Sequence, residues 1–201
     1  MIKVCVFCSA RIGSNEAFKD VAKRCGKLIG KNGYDMVYGG SSRGLMGITA
    51  KEAAKYGARV IGVFPTPLSP DDKNLYYSEN KQPNSSIQYE TLNTKMDEAL
   101  FVNNMFERKE KMFAISDVFV ILPGGLGTID EFFEFFTIKS LGWHKKEIIL
   151  VNTDGYWNKM IDMIEYTIDM KMASKSCRTF FKVCLEPEEA FEYIKLIVKP
   201  K

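Results

Sequence analysis

Apolar positions along this chain fall into short β-rich runs that alternate with segments of helical period. Ile2–Cys8, Asp35–Tyr38, Arg59–Phe64, Glu98–Val102, Val118–Leu122 and Ile148–Val151 read as strands. Between the first two, Asn15–Lys31 places Phe18, Val21, Ala22, Cys25, Leu28 and Ile29 on one helical face, with Gly33 as the stop. Gly44–Tyr56 reads as a second helix, and further helices are expected at about 104–116, 128–141, 156–171 and 187–198. Strands that alternate with helices pair in parallel and are covered on both faces. The expected architecture is therefore α/β: a doubly wound, Rossmann-like, mostly parallel sheet with helices on both faces, in a single domain over residues 1–201. One stretch breaks the rhythm. Pro65 to Lys95 holds four of the 7 prolines, and a long loop at about 66–97, interrupted at most by a short strand at Ile87–Leu92, is expected to be functional or mobile.

Composition narrows the class. With 201 residues, 46% hydrophobic and 26% charged, the chain can bury a sizeable core. A net charge of +3 announces neither a nucleic-acid nor an anionic-membrane partner, and no apolar run is long enough to span a bilayer. Five scattered cysteines suit a reducing, cytoplasmic setting better than a disulfide framework. Cys5-x-x-Cys8 lacks a second pair of ligands for zinc, so no metal site is expected. His144 is the single histidine, and its setting in Trp143-His144-Lys145 argues against a Ser-His or Cys-His hydrolase.

Candidate chemistry gathers at two glycine-rich turns. The strand ending at Tyr38 runs into Gly39-Gly40-Ser41-Ser42-Arg43-Gly44-Leu45-Met46-Gly47, and the strand ending at Leu122 runs into Pro123-Gly124-Gly125-Leu126-Gly127-Thr128. Each is a strand, a glycine turn and a helix start. Missing side chains let an anion reach the backbone, and free helix N-terminal N–H groups point at it. Neither turn carries the Gly-Lys-Ser/Thr of a Walker loop, and the first turn, Ser9 to Ser14, lacks G-x-G-x-x-G. A mononucleotide or sugar phosphate fits better than a dinucleotide. Thr128-Ile129-Asp130-Glu131 also has the spacing of a capping box, in which Thr128 caps the helix and Glu131 reaches back to it. On the helix at 104–116, Arg108 and Lys109 sit among Met105, Met112 and Phe113, where a cation either snorkels or meets a ligand.

Taken in order, these residues resemble the Lonely Guy family of cytokinin riboside 5′-monophosphate phosphoribohydrolases, which are often mislabelled as lysine decarboxylases. Pro123-Gly124-Gly125-Leu126-Gly127-Thr128-Ile129-Asp130-Glu131 matches its PGGxGTxxE signature. Gly39–Gly47 is similar to its first glycine loop, Met105-Phe106-Glu107-Arg108-Lys109 to its M-x-x-R-K, and Asp154-Gly155-Tyr156-Trp157 to its D-G-Y-Y/W. The resemblance implies hydrolysis of the N-glycosidic bond of a nucleoside 5′-monophosphate, AMP or N6-modified AMP, to free base and ribose 5-phosphate. It implies catalytic roles for Arg108 and Glu131. Substrate contacts would come from Lys109, Gly124, Gly125, Leu126, Gly127, Thr128, Ile129 and Asp130, with Met105, Gly40 and Ser41 beside them. No metal or organic cofactor is needed, and nothing points to a pyridoxal-phosphate lysine. The alternative is a non-catalytic nucleotide or cofactor carrier on the same fold, which needs the glycine loops but not the acid. The chain departs from the family pattern in its longer loop, where Asp72, Glu79 and Glu90 could each supply a further acid, and in Asp130, Phe136 and Ser9-Ala10.

A homodimer is also expected. Ile129, Phe132, Phe133, Phe135 and Phe136 cover an arc of roughly 160° at about 100° per residue, wider than the roughly 100° stripe a helix needs to cover its own sheet. Another helix of the same chain could cover the excess, but the family resemblance and the cost of leaving aromatic surface in water favour a twofold partner close to Glu131.

Overall fold

The computed structural model describes residues 1–65 and 96–198. Their strands form one seven-stranded sheet, every neighbouring pair parallel, in the order β4-β3-β2-β1-β5-β6-β7. The strands are β1 Lys3–Phe7, β2 Asp35–Tyr38, β3 Val60–Pro65, β4 Glu98–Val102, β5 Val118–Ile121, β6 Glu147–Val151 and β7 Lys182–Cys184. The helices are α1 Glu16–Lys31, α2 Gly44–Lys55, α3 Met105–Ile115, α4 Leu126–Ser140, α5 Asn158–Asp169 and α6 Pro187–Ile197.

Alternation along β1 builds two cores. Val4, Val6 and Cys8 face the layer of α1, α2 and α6, whereas Cys5 and Phe7 face that of α3, α4 and α5. Cys5 and Cys8 therefore lie on opposite faces of the sheet and cannot share a ligand. Burial raises both thiols, and all five cysteines are buried and free. The first layer packs closely: a Cβ on Gly26 of α1 would overlap the Thr49 carbonyl of α2. The second layer is aromatic, with Phe135 against Phe119 at 4.6 Å and against Phe7 at 5.3 Å between ring centroids.

Several boundaries and one argument differ from the sequence expectation. The strand β7 was not anticipated, because three residues after a 3-10 turn (Lys175–Thr179) carry too little pattern to register. The helix expected from 156 begins at Asn158, after a 3-10 turn at Thr153–Gly155. The long loop, its possible strand and Asp72, Glu79 and Glu90 lie outside the described residues. The wide apolar arc of α4 is met within the chain: Phe181 packs edge-on against Phe132 at 5.6 Å, and Phe180 and Phe181 both meet Phe136. That surplus therefore does not by itself require a partner.

Candidate active site

In this strand order, the chain leaves β1 towards β2 and leaves β5 towards β6, so β1 and β5 flank the point where the winding reverses. Ligands of open α/β sheets bind in the crevice beyond that point. A cleft of about 280 Å³ lies there, walled by Ser9, Arg11 and Ser14 after β1, by Pro123, Gly124 and Gly125 after β5, and by Phe18, Leu45 and Tyr156. Among the described residues, no carboxylate pairs with Arg11.

Helix starts differ around this edge. Asn15 caps α1 by accepting from the Ala17 N–H, and Asn104 caps α3 by accepting from Phe106 and Glu107. The helices after the two glycine turns, α2 and α4, begin at Arg43 and Gly125 without any side-chain cap. At α2 the Leu45 N–H donates to the Arg11 carbonyl at 3.4 Å and the Met46 N–H to the Ser9 carbonyl at 3.1 Å, so it is the first N–H groups of α4 that are left for another acceptor. Gly125, Leu126 and Gly127 are exposed at the start of α4, with Ile129 half-buried and Asp130 exposed in the turn that follows. Gly124 is buried because the Thr128 side chain occupies the space a Cβ would fill. In the other turn, Gly40 has φ +82° and packs on Phe64, and the Ser41 hydroxyl accepts from the Arg43 N–H at 3.1 Å. Met105 is half-buried at the start of α3.

These starts overturn the capping-box reading. Because α4 begins at Leu126, Thr128 lies inside the first turn rather than at the cap. Glu131 is buried and turned to α3, where its Oε1 accepts from the Arg108 guanidinium at 3.3 Å. The rest of the guanidinium is spoken for. Its Nε donates to the Val63 carbonyl at 3.1 Å, and Gly39 sits so close to the other amino group that a Cβ there would overlap it. One long contact offsets little of the penalty for a buried charge. Burial accordingly pushes the Glu131 carboxyl up to about 7, with Arg108 opposing and the nearby Asp130 charge adding to the rise.

Lys109 faces a different neighbour. Its ammonium is paired with Glu134, and with Asp130 at 3.0 Å, and its side chain is only 8% exposed. Burial alone would lower its pKa, but the two carboxylates outweigh that and raise it. A lysine held charged in this way is the reverse of the desolvated amine that forms Schiff bases. The structure thus brings Arg108 and Glu131 together and ties Lys109 to Asp130. Sequence reasoning placed Gly39 in a glycine loop without its contact to Arg108, and did not find Val63, Arg11 or Glu134.

Comparison with known proteins follows the same lines. Residues 46–194 match the sequence model of the family described as "Possible lysine decarboxylase". A protein of Oryza sativa subsp. japonica named "Probable cytokinin riboside 5'-monophosphate phosphoribohydrolase" is 35% identical over 89% of this chain and 70% of its own length. A cytokinin riboside 5'-monophosphate phosphoribohydrolase of Arabidopsis thaliana is 34% identical over 88% of this chain and 74% of its own. The molybdenum cofactor binding protein of Rippkaea orientalis shares the fold, with a TM-score of 0.67 at 20% identity over 98% of both chains. No helix among the described residues is long and apolar enough to cross a membrane. On sequence likeness over most of its length, the chain belongs to the family of cytokinin riboside 5′-monophosphate phosphoribohydrolases.

Proposed function

We propose that the protein hydrolyses the N-glycosidic bond of a nucleoside 5′-monophosphate, AMP or an N6-modified AMP, releasing the free base and ribose 5-phosphate. The observation that carries this reading is a buried acid with no part in helix capping, paired to Arg108 beside the uncapped N-terminus of α4. The phosphate would bind at the start of α4, over Gly124 to Asp130, with Gly40 and Ser41 on the opposite loop and Met105 at the edge of α3. The sugar would then lie towards Glu131. Cleavage breaks the C1′–N bond with the electron pair leaving on the base, water adds its hydroxyl to C1′, and the proton it gives up ends on the departing base. The sugar becomes oxocarbenium-like, and an ionised carboxylate beside it stabilises that charge. Arg108 holds the carboxylate in place. Lys109, through Asp130 and Glu134, fixes α3 against α4.

The deciding experiment is incubation with a panel of nucleoside monophosphates and assay of released base. AMP is expected to yield adenine plus ribose 5-phosphate, with adenosine a much poorer substrate because binding energy at the phosphate positions the sugar. Equal turnover of the two would overturn this reading. A carrier on the same fold would bind AMP and return it intact.

The protein is further proposed to act in the cytoplasm as a homodimer. The exposed Phe106 and Leu126 stand at the starts of α3 and α4, the two helices that bear Arg108 and Glu131, so a partner there would shield apolar surface beside the site. Light scattering at micromolar concentration is expected to give twice the chain mass, and a value near 22.9 kDa would refute the dimer.

A further inference from the structure

The Asp154-Gly155-Tyr156-Trp157 turn takes no part in the chemistry above, yet it is tied to three neighbours. Asn152, at the end of β6, accepts from the Trp157 N–H at 2.7 Å and donates to Asn158 at 2.8 Å. Asp154 adopts φ +52°, a left-handed conformation costing about 1 kcal/mol, and accepts from the side chain of Asn15 at 2.8 Å. Asn15 is itself the cap of α1. Tyr156 completes the set: its ring stands edge-on to Phe18 at 5.0 Å and to Trp157 at 4.8 Å, and its hydroxyl donates to the Gly124 carbonyl at 2.6 Å.

That carbonyl belongs to the peptide between Gly124 and Gly125. With no Cβ on either side, this peptide plane meets little steric resistance to rotation. In a trans peptide the C=O and N–H point in opposite directions, so a flip would exchange the donor and acceptor sides of the plane just where α4 begins. A carbonyl oxygen turned onto a phosphate would repel it. The loop cannot restrain itself with a side chain at Gly124, because Thr128 fills that space. Restraint has to come from outside, and the short bond from Tyr156 supplies it.

We propose that Tyr156 is a positioning residue whose hydroxyl locks the Gly124–Gly125 peptide so that N–H donors, not a carbonyl oxygen, meet the substrate's phosphate. The inference rests on the nucleotide-cleaving reading above. Tyr156→Phe removes the hydroxyl and keeps both ring contacts. Loss of about one hydrogen bond's net contribution should raise the KM for AMP and the inhibition constant of ribose 5-phosphate together, roughly five- to tenfold, with kcat within about twofold. The thermal midpoint should fall by no more than the few degrees that one part-buried hydrogen bond contributes. An unchanged KM and inhibition constant, or a fall in thermal midpoint without weaker binding, would overturn the proposal. Calorimetric titration of ribose 5-phosphate into both proteins separates it from the functional reading, since it needs no turnover. If the wild type leaves AMP intact but binds ribose 5-phosphate more tightly than the variant, the reaction fails and the lock stands. If the two bind it equally, or neither binds it, the lock fails whatever the turnover.

Discussion

Glu131→Gln is expected to lower turnover of AMP by about a thousandfold or more while leaving the fold in place, the scale seen when a catalytic acid–base or charge-stabilising group is removed. Gln keeps the size of the side chain and its ability to accept from Arg108, so packing between α3 and α4 is preserved. What it loses is the negative charge that faces the developing sugar cation. The same substitution should stabilise the protein above neutral pH. Burial raises the Glu131 carboxyl from 4.5 in the unfolded chain to about 7 in the folded one. A raised acid binds its proton more readily in the folded state. Its stabilising contribution is therefore full below pH 4.5 and is lost as pH rises through about 7, a difference of roughly 3 kcal/mol. Denaturant midpoints at pH 5 and pH 8 should show this loss in the wild type and a much smaller one in the Gln variant. The wild-type kcat/KM should rise from pH 5.5 to 8 with an inflection near 7, as the carboxyl ionises. Near-wild-type turnover by the Gln variant would remove Glu131 from the chemistry.

The site itself was only partly legible in the sequence. Alternating strands and helices gave the sheet and its two layers because each β-run is short, apolar and flanked by helical period. Where the signal rests on a few residues, as in Lys182–Cys184, pattern has nothing to work on. Motif spacing marked Glu131, but the same spacing fits a capping box, and only the true start of α4 at Leu126 separates the two. Arg108 and Lys109 looked equivalent as neighbouring cations on one helix. Their side chains leave α3 about 100° apart, so one meets Glu131 and the other meets Asp130 and Glu134. The surplus of phenylalanine on α4 implied a missing neighbour, and Phe180 and Phe181 supply one from a segment with no periodicity of its own. Contacts made between distant irregular segments, such as Tyr156 to Gly124, leave no trace in local pattern.

Because Arg108 is held at three points, its placement can be tested from a residue that touches no substrate. Its Nε is fixed by the Val63 carbonyl, one terminal nitrogen meets Glu131, and the other lies beneath Gly39. A methyl group at Gly39 would overlap the guanidinium and crowd the end of the Met46 side chain at 2.7 Å. Gly39→Ala should therefore displace Arg108 from Glu131 and lower kcat/KM by about a hundredfold, the scale associated with a misplacement of about 1 Å in an active site. With less positive charge beside it, the Glu131 carboxyl should rise further, moving the acid inflection of the pH profile above 7. Arg108→Lys gives a matching test from the other side. Lysine keeps the charge but lacks the planar fork, so it cannot satisfy both the Val63 carbonyl and Glu131, and activity should fall by a comparable factor. The two substitutions perturb one contact, so Gly39→Ala should have little further effect in an Arg108→Lys background. Full additivity of the two losses, or a Gly39→Ala enzyme with wild-type kcat/KM and an unmoved inflection, would show that the pairing of Arg108 with Glu131 does not set the rate.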